Sequence, residues 1–442
     1  MSITTKSIFH ADFQAKPFWW EAYEPSDHEP QEQPRDVPVA IIGGSYAGLA
    51  AALELQQHGI TACVIEKENP GYGASTRSGG ILGGCGSVKA PLLSFGESNR
   101  EFSELISAAR KGLDLVEGFI DREGIKCEWQ KHGMFSAACA TRHFQRAKEK
   151  AELMSQYGEI NSTPISAENQ QSYIGSEYYR GGVLFSNAGH LHPALYYEGL
   201  LKACKRRGIS ICSQTEVINL NRHRGGWKLS TSQGELTAQN VIVATNGYTG
   251  NVTPAFKRRV IPLKAYMIAT EVLSDEMAVN LCPKNNAFVE SARITAFFRL
   301  TGSKGNQRLV FGSRVKWSDV NSKEMAPLLH RLLLKRYPQL GDVQITHAWD
   351  GNVALTLDEQ LHNGKMDGIH YALGCNGAGV ANMTFLGTTV AQKIVAQSEQ
   401  CSPFDTHFIS SRFYRGDERW FIPVIGRYLQ LRDWLDRCLD RP

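Results

Sequence analysis

The sequence lacks the features that several broad classes of protein require. Its ten cysteines are scattered, with no C-x-x-C pair and no His/Cys spacing typical of zinc ligands, so neither a disulfide framework nor a metal site is expected. Lys and Arg total 48 against 44 Asp and Glu, and no basic run is long enough to indicate a nucleic-acid site, so nucleic acid is not an expected partner. Residues 1–25 lack the apolar core of a signal peptide, which predicts a cytoplasmic protein.

Residues 39–66 contain a strand, a glycine turn, a helix and a second strand. Val39–Ile42 is an apolar run typical of a buried parallel strand, and the turn GGSYAG follows it. Gly43 permits the sharp turn, Gly48 allows the helix and strand to pack closely, and the helix N-terminus attracts pyrophosphate. Glu66 stands where an acid accepts hydrogen bonds from an adenosine ribose. The segment therefore predicts binding of an adenine dinucleotide.

Two further glycine-rich segments favour FAD over NAD. Residues 69–84 (NPGYGASTRSGGILGG) can lay N–H groups and hydroxyls along a flat ligand, with Arg77 neutralising diphosphate charge. Residues 374–380 (GCNGAGV) follow a strand and open a helix, whose positive end would favour reduction of a flavin. The first segment could instead be a flexible loop, and the second an ordinary βα unit of the sheet.

The rest of the chain alternates between helical and strand patterns. Helices are predicted near 98–122, 142–156 and 192–208, and strands at 209–211, 216–220, 227–231 and 241–244. A return of the last strand to the first sheet would make the dinucleotide domain discontinuous. The predicted segments are 37–124, 186–254 and 346–400 for that domain, 125–185 and 255–345 for a second domain, 1–36 for an N-terminal arm anchored by aromatic residues, and 401–442 for a C-terminal extension.

In order along nearly the whole chain, these motifs resemble those of the FAD-dependent oxidoreductases of the D-amino-acid oxidase superfamily. The similar branch is that of the glycine and sarcosine oxidases and the γ-glutamylputrescine oxidase-like proteins. The residues that carry the resemblance are 43–53, 71–80, 190–194, 241–249, 258–271, 297–314, 349–361 and 371–381. The resemblance implies an α/β protein with a discontinuous, Rossmann-like FAD-binding domain and an α+β substrate domain that carries a mainly antiparallel sheet.

The resemblance also implies which residues contact FAD. They are Gly43, Ser45, Tyr46, Ala47, Gly48, Glu66, Lys67, Ala74, Ser75, Thr76, Arg77, Ser78, Gly79, Gly80, Val217, Thr245, Asn246, Gly247, Gly374, Asn376, Gly377, Ala378, Gly379 and Val380. Sarcosine oxidases attach the flavin through a cysteine in the segment that corresponds to 351–355. Because this chain has no cysteine there, FAD is expected to bind without a covalent bond.

Several positions depart from the sarcosine oxidase pattern. Those enzymes clamp a substrate carboxylate with a lysine just past the glycine turn, where this chain has Ala381, and with an arginine near Gly80. The lysine that helps oxygen react is replaced by Val310, and the histidine of the turn by Ala378. The missing carboxylate clamp argues against a simple α-amino acid as the substrate. The missing lysine argues against rapid reaction with oxygen.

The resemblance predicts oxidation of a C–N bond, in which an amine passes a hydride to flavin N5 and the imine is then hydrolysed. The expected substrate is an ω-substituted amine such as a γ-glutamylputrescine-like compound, or a cyclic or secondary amino acid. Tyr266, Arg299 and Trp349 are the predicted substrate contacts, although each could be structural instead. On this interpretation Arg299→Ala leaves FAD bound and weakens substrate binding.

Two alternative functions are compatible with the sequence. Electrons could pass to oxygen, to a quinone or to a protein acceptor, or the chain could be a flavin-binding subunit without turnover. The C-terminal segment 421–441 carries aromatics and arginines. This segment is either a packed terminal helix or a weak membrane-associating one.

Overall fold

The apolar run before the first glycine turn lies inside an eight-stranded sheet of the computed structural model, which describes residues 7–26, 31–84, 99–156, 161–314, 320–397, 402–405, 408, 414–416 and 420–440. The strands are β1 (Phe9–Gln14), β2 (Asp36–Ile42), β3 (Ala62–Ile65), β4 (Ile81–Leu82), β5 (Met134–Ala137), β6 (Ser162–Ile165), β7 (Gly182–Phe185), β8 (Gly189–His190), β9 (Ser210–Cys212), β10 (Val217–His223), β11 (Gly226–Thr231), β12 (Gly234–Val243), β13 (Ile261–Thr270), β14 (Ala287–Glu290), β15 (Ala296–Thr301), β16 (Arg308–Ser313), β17 (Ile345–Leu355), β18 (His362–Met366) and β19 (Ile369–Leu373). The helices are α1 (Tyr46–Gln57), α2 (Asn99–Glu123), α3 (Thr141–Ser155), α4 (Pro193–Arg206), α5 (Pro254–Lys257), α6 (Asp275–Leu281), α7 (Ser322–Arg336), α8 (Gly379–Ala396) and α9 (Phe421–Cys438).

The first sheet is built around β2, which pairs in parallel with β3 on one side and β12 on the other. Strand β9 extends the sheet beyond β3, and β19 joins the end of β12 in parallel. The strand predicted at 241–244 therefore returns to this sheet. It begins earlier than predicted, at Gly234, because residues 234–238 pair with β11 in an antiparallel hairpin. In this part of the strand the buried Leu236 and Ala238 alternate with polar residues, so there is no continuous apolar run by which to recognise it.

Small residues let α1 pack closely on both sides. Its residues from Tyr46 to Leu55 are all buried. On the side of α8, a Cβ at Gly387 would lie 2.1 Å from the Ala47 carbonyl oxygen, so only glycine permits this approach. The contact fixes the N-terminus of α1, and with it the first glycine turn, relative to α8.

The second sheet has nine strands in the order β1-β17-β13-β16-β15-β14-β5-β7-β6. All neighbouring pairs are antiparallel except β1 with β17 and β14 with β5. Its core packs against α7 through residues such as Met325, Leu329 and Leu333. The α/β fold class with a mainly antiparallel second sheet is thus confirmed, whereas the domain boundaries stay a prediction.

The N-terminal segment differs from the extended arm that the sequence predicts, because Phe9–Gln14 adds a strand to the second sheet. As an edge strand with mixed polarity it lacks the apolar alternation of an inner strand. Trp19 is fully buried in a cluster with Val310 and Trp349. Burial of this indole anchors the segment to the second sheet.

Substitution of Trp19 by alanine should lower the free energy of unfolding by about 3–5 kcal/mol, since it leaves a cavity in a packed cluster. A urea titration followed by circular dichroism measures the change. The control is Trp420→Ala at an exposed indole (69% exposed), which should alter the value by less than about 0.5 kcal/mol. Equal effects of the two substitutions would show that the N-terminal segment does not stabilise the fold.

Candidate active site

The glycine turns that are far apart in the sequence line one cavity of about 1110 Å³. This volume is above the upper end of the range of about 300–1,000 Å³ typical of small-ligand pockets, so a dinucleotide and a second small molecule can both be accommodated. Of the residues predicted to contact FAD, those that line the cavity are Gly43, Ser45, Tyr46, Glu66, Lys67, Ala74, Ser75, Arg77, Ser78, Gly79, Gly80, Val217, Thr245, Asn246, Gly247, Asn376, Gly377, Ala378, Gly379 and Val380.

Four residues predicted as FAD contacts do not line the cavity. They are Ala47, Gly48, Thr76 and Gly374. Gly48 has a structural role instead, because a Cβ there would lie 2.1 Å from the Gly43 carbonyl oxygen. The Thr76 hydroxyl is buried and donates to the Gly71 carbonyl at 2.6 Å. Gly48 and Thr76 therefore determine the shape of the turns and do not form part of the surface that faces the cavity.

Around the first turn, polar groups hold the backbone in place. Ser45 caps α1 by accepting from the Gly48 N–H, and its hydroxyl donates to the Ala244 carbonyl at 2.8 Å. The Tyr197 hydroxyl donates to the Gly44 carbonyl at 2.6 Å. Ser45, which replaces the middle glycine of the common motif, thus ties the turn to the end of β12.

Glu66 lies at the cavity wall with its carboxylate already engaged by the backbone. It accepts from the Gly44 N–H at 2.8 Å and from the Glu68 N–H at 3.0 Å. Burial raises the pKa of Glu66, while these N–H donors oppose the rise. A carboxylate has lone pairs for further donors such as ribose hydroxyls. Beside it, Lys67 pairs with Glu216 at 2.9 Å on the surface.

The second glycine segment, 74–80, is held from behind by three large side chains. The Trp20 indole donates to the Thr76 hydroxyl at 2.9 Å, and the Trp349 indole donates to the Arg77 carbonyl at 2.8 Å. The Arg299 guanidinium donates to the Gly79 carbonyl at 2.8 Å. A segment anchored in this way is not a flexible loop.

Arg77 lines the cavity, but its guanidinium is bound to the protein. It lies between the rings of Trp20 and Tyr72, at 4.6 and 4.9 Å from their centroids. Its Nε and Nη1 atoms donate to the carbonyls of Tyr72 and Asp350. Neutralisation of a diphosphate by Arg77 remains a prediction to which this geometry adds no support.

None of the three predicted substrate contacts lines the cavity. Tyr266 is fully buried, with its hydroxyl donating to the Val320 carbonyl, and Trp349 supports segment 74–80. Arg299 is only 2% exposed and donates to the carbonyls of Gly79, Leu191 and Leu300. Tyr266 alternates with the cavity-lining Ala265 and Met267 and so lies on the opposite face of β13. Arg299 and Trp349 share the cavity face of the second sheet, but segment 74–80 covers them. In this structure the three side chains therefore contact the protein and not the cavity, which the alternating strand pattern did not predict.

The third turn brings a helix N-terminus to the cavity. Ala378, which caps α8, has no side-chain acceptor for the first N–H groups of the helix, and Gly377 and Gly379 expose backbone to the cavity. The Asn376 amide donates to the Gln360 carbonyl at 2.8 Å and rigidifies the turn. Asn246 accepts from the Gly374 N–H at 3.0 Å, which joins this turn to the end of β12.

Arg314 is a cavity residue that the sequence reasoning missed. It follows β16, and its guanidinium lies against the third turn. Its Nη2 atom is 3.4 Å from the Asn376 carbonyl oxygen. A Cβ built at Gly377 would lie 2.1 Å from the same Nη2 atom. Burial lowers the pKa of Arg314, which Glu359 and Cys375 only partly offset. Within the described residues no carboxylate forms an ion pair with it. No local pattern marks this arginine as a cavity residue. Only its tertiary contact with residues 376–377, just after β16, does so.

Apolar side chains form part of the wall contributed by the second sheet. Ala265, Met267 and Phe297 line the cavity, and the Phe297 ring faces Gly79 closely enough that a Cβ there would lie 3.1 Å from it. Val310, at the position of the oxygen-activating lysine of sarcosine oxidases, is fully buried against Trp19. The replacement therefore leaves an apolar cluster in the second sheet.

Comparisons with known proteins agree with this geometry. Residues 38–393 match the family described as DAO, FAD dependent oxidoreductase. The chain is 30% identical over 383 residues to the probable oxidoreductase OrdL of Haemophilus influenzae, across 85% of this chain and 87% of that protein. It is 29% identical over 368 residues to gamma-glutamylputrescine oxidoreductase of Escherichia coli, across 83% of this chain and 85% of that protein.

Among solved structures, glycine oxidase from Geobacillus kaustophilus superposes with a TM-score of 0.69 at 18% identity, covering 86% of this chain and 99% of that chain. At this level of identity the likeness establishes the fold.

The substitution Gly48→Val should abolish FAD retention, because any Cβ at this position collides with the Gly43 carbonyl and displaces the first turn. The absorbance of the purified protein near the flavin maximum reports the bound cofactor. Gly118→Val is the matched control, since no atom lies within 4 Å of a Cβ built at Gly118. Retention of full colour by the Gly48 variant would contradict the placement of the diphosphate.

Contrary to the expectation from sequence, Arg299→Ala should weaken FAD binding at least about tenfold, since it removes the donor that holds Gly79 and leaves buried carbonyls unsatisfied. Titration of the apoprotein with FAD, followed by flavin fluorescence, measures the affinity. Arg308→Ala removes an arginine that bonds Thr270 and Thr346 in the second sheet, and it should have little effect. Unchanged FAD affinity with impaired turnover in the Arg299 variant would restore its assignment as a substrate contact.

His192 should make stability depend on pH. It caps α4, and burial together with Arg299 lowers its pKa to about 3. The unfolded chain takes up a proton below about pH 6.5 that the folded chain does not, so stability is full above that pH and falls as the pH drops. His192→Asn keeps a capping acceptor without the titration. Between about pH 7 and 5 it should lose about 2 kcal/mol less than the native chain in urea titrations; equal losses would contradict this role.

Proposed function

The chain belongs to the DAO family of FAD dependent oxidoreductases and acts on amines or amino acids, and we propose that its substrate is an amine that carries a carboxylate. The family membership confirms the resemblance drawn from the motifs, and with it FAD as the cofactor. The proposed substrate is an ω-substituted amine of the γ-glutamylputrescine kind, or a cyclic or secondary amino acid. The observation that carries this proposal is Arg314 in the cavity wall.

The residues present fit FAD. The N-terminus of α8 meets the cavity without a side-chain cap, which suits the partial negative charge of a flavin ring. Glu66 lies at the opposite turn, where an adenosine ribose is expected, and Val217 lines the wall beside it. Bound FAD supplies an acceptor for a hydride from the carbon next to the amine nitrogen. We propose that it is held without a covalent bond.

The apolar wall prepares the amine for oxidation. A nitrogen can drive imine formation only with its lone pair free, so the amine must be neutral. Ala265, Met267 and Phe297 place apolar surface where the substrate would lie. Loss of solvation there lowers the pKa of an ammonium group and favours the neutral form.

Arg314 supplies the positive charge that the replaced clamp residues would otherwise provide. The lysine and arginine of sarcosine oxidases are absent from this chain, yet the end of β16 brings a guanidinium to the third turn. A half-buried cation without an ionic partner among the described residues is stabilised when a ligand supplies the negative charge. A guanidinium binds a carboxylate through two parallel hydrogen bonds. A carboxylate at this place would orient the substrate carbon within the cavity.

The electron acceptor is proposed to be oxygen or a quinone. Val310 and Trp19 fill the position of the oxygen-activating lysine with apolar surface, so we expect slow reaction with oxygen compared with an enzyme that has a cation there.

The function is tested by mixing the holoprotein anaerobically with a panel of amines. A substrate should bleach the flavin absorbance, and re-aeration or addition of a soluble quinone then identifies the acceptor. The decisive comparison uses pairs of amines in which one member carries a carboxylate and the other carries the corresponding amide. Bleaching by the amide partner at equal efficiency would contradict the assigned substrate class, and no bleaching by any amine would contradict the activity.

Arg314→Gln should lower kcat/KM for carboxylate-bearing amines by about 10–100-fold, the loss expected for a hydrogen-bonded charge pair. It should change kcat/KM for the matching amides by less than about threefold. Arg314→Lys should restore part of the loss, because a lysine keeps the charge without the two-bond geometry. Equal losses for both members of each pair would indicate that Arg314 acts on the flavin or the fold instead.

A further inference from the structure

The C-terminal helix α9 has the reverse of the polarity expected for a surface helix. Its buried positions, at helical spacing, include Asp433 and Asp436, which are 9% and 3% exposed. Its outward positions are mostly large and apolar: Val424, Ile425, Tyr428, Leu431, Trp434 and Leu435, and the exposed Leu439 follows directly after the helix. Soluble domains normally place the apolar stripe inward and the charged residues outward.

Ion pairs and hydrogen bonds, rather than apolar contacts, dock the second half of the helix. Asp433 accepts from the backbone N–H of Ile294 at 3.0 Å and pairs with the Arg293 guanidinium at 3.1 Å. Asp436 pairs with Arg293 at 2.7 Å and with His143 at 2.9 Å. These partners fix the rotation of α9, so its apolar face cannot turn inward without breaking them.

The outward face is basic as well as apolar. Arg427 and Arg432 are exposed on it, whereas the acids of the helix face the protein. Arg432 lies beside the Tyr428 ring and donates to its hydroxyl at 2.9 Å. Val424 and Trp434 are 64% and 60% exposed, and Trp420, just before the helix, is also exposed. Contiguous apolar surface of this kind marks an interaction site.

We propose that α9 is an interfacial helix that lies on an anionic lipid surface. Apolar residues flanked by aromatic rings and arginines are the signature of a helix that lies in the plane of a membrane. Two copies packed through this face would bring Arg427 and Arg432 of each chain together without acids to neutralise them. No helix in the described part of the chain is long and apolar enough to cross a membrane, so contact is confined to the surface.

This orientation relates the lipid surface to the cavity. Leu429, on the inward side of α9, lines the cavity, and so does Arg293, which anchors the helix. Docking of α9 therefore brings this end of the cavity next to the lipid headgroups.

Vesicle flotation with the FAD-loaded protein tests the proposal without requiring turnover. The native chain should float with vesicles of phosphatidylcholine mixed with phosphatidylglycerol, and less with phosphatidylcholine alone. Leu431→Ser with Trp434→Ser should lower the partition coefficient at least about tenfold. Arg427→Gln with Arg432→Gln should reduce binding to the mixed vesicles to the level seen with phosphatidylcholine, as should high salt.

The matched control is Val272→Ser with Val279→Ser, two exposed apolar residues outside α9, which should leave binding unchanged. Flavin absorbance and the melting temperature of each variant verify the fold. Absence of flotation by the native chain overturns the proposal. A dimer in analytical ultracentrifugation that the Leu431/Trp434 variant dissociates, with no preference for anionic vesicles, also overturns it and assigns the face to a contact between copies.

Discussion

The structure depends on backbone segments that approach one another more closely than any side chain allows. At Gly48 and at Gly387 a Cβ would lie 2.1 Å from a carbonyl oxygen, and at Gly80 it would lie the same distance from the Leu191 carbonyl. These three contacts fix the first turn, the helix α8 behind it and the end of the segment 74–80. The contact at Gly48 is local and shapes the first turn, whereas those at Gly387 and Gly80 join parts of the chain that are far apart in sequence and so bring separate turns to one cavity.

Around these contacts, large side chains with polar groups donate hydrogen bonds to the protein and not to a ligand. Trp20, Trp349 and Arg299 all donate to the segment 74–80 from behind. This arrangement leaves the cavity side of the segment as bare backbone, which a flat cofactor can approach. It also explains why a buried arginine in an alternating strand need not be a substrate contact: its donors satisfy carbonyls that would otherwise lie buried and unpaired.

The N-terminal segment and the C-terminal helix are attached to the protein by different interactions. The N-terminal segment buries Trp19 in the second sheet, where it fills space next to Val310. The C-terminal helix is instead docked through carboxylates and leaves its apolar side chains outside. The N-terminal segment therefore adds a core contact to the second sheet, whereas the C-terminal helix leaves an exposed apolar surface.

By itself, the sequence determined the FAD motif, the family, the α/β class and the approximate positions of most helices, because glycine turns, apolar runs and helical periodicity are local signals. Most of the residues that it predicted as FAD contacts line the cavity. It did not determine β1, the long start of β12, the roles of Tyr266, Arg299 and Trp349, or the presence of Arg314 at the third turn. Each of these depends on which face of an element meets a distant segment, and on hydrogen bonds to backbone groups that a local pattern does not contain. Only the tertiary structure decides those contacts, since the orientation of a strand face or a helix is set by all of its partners at once.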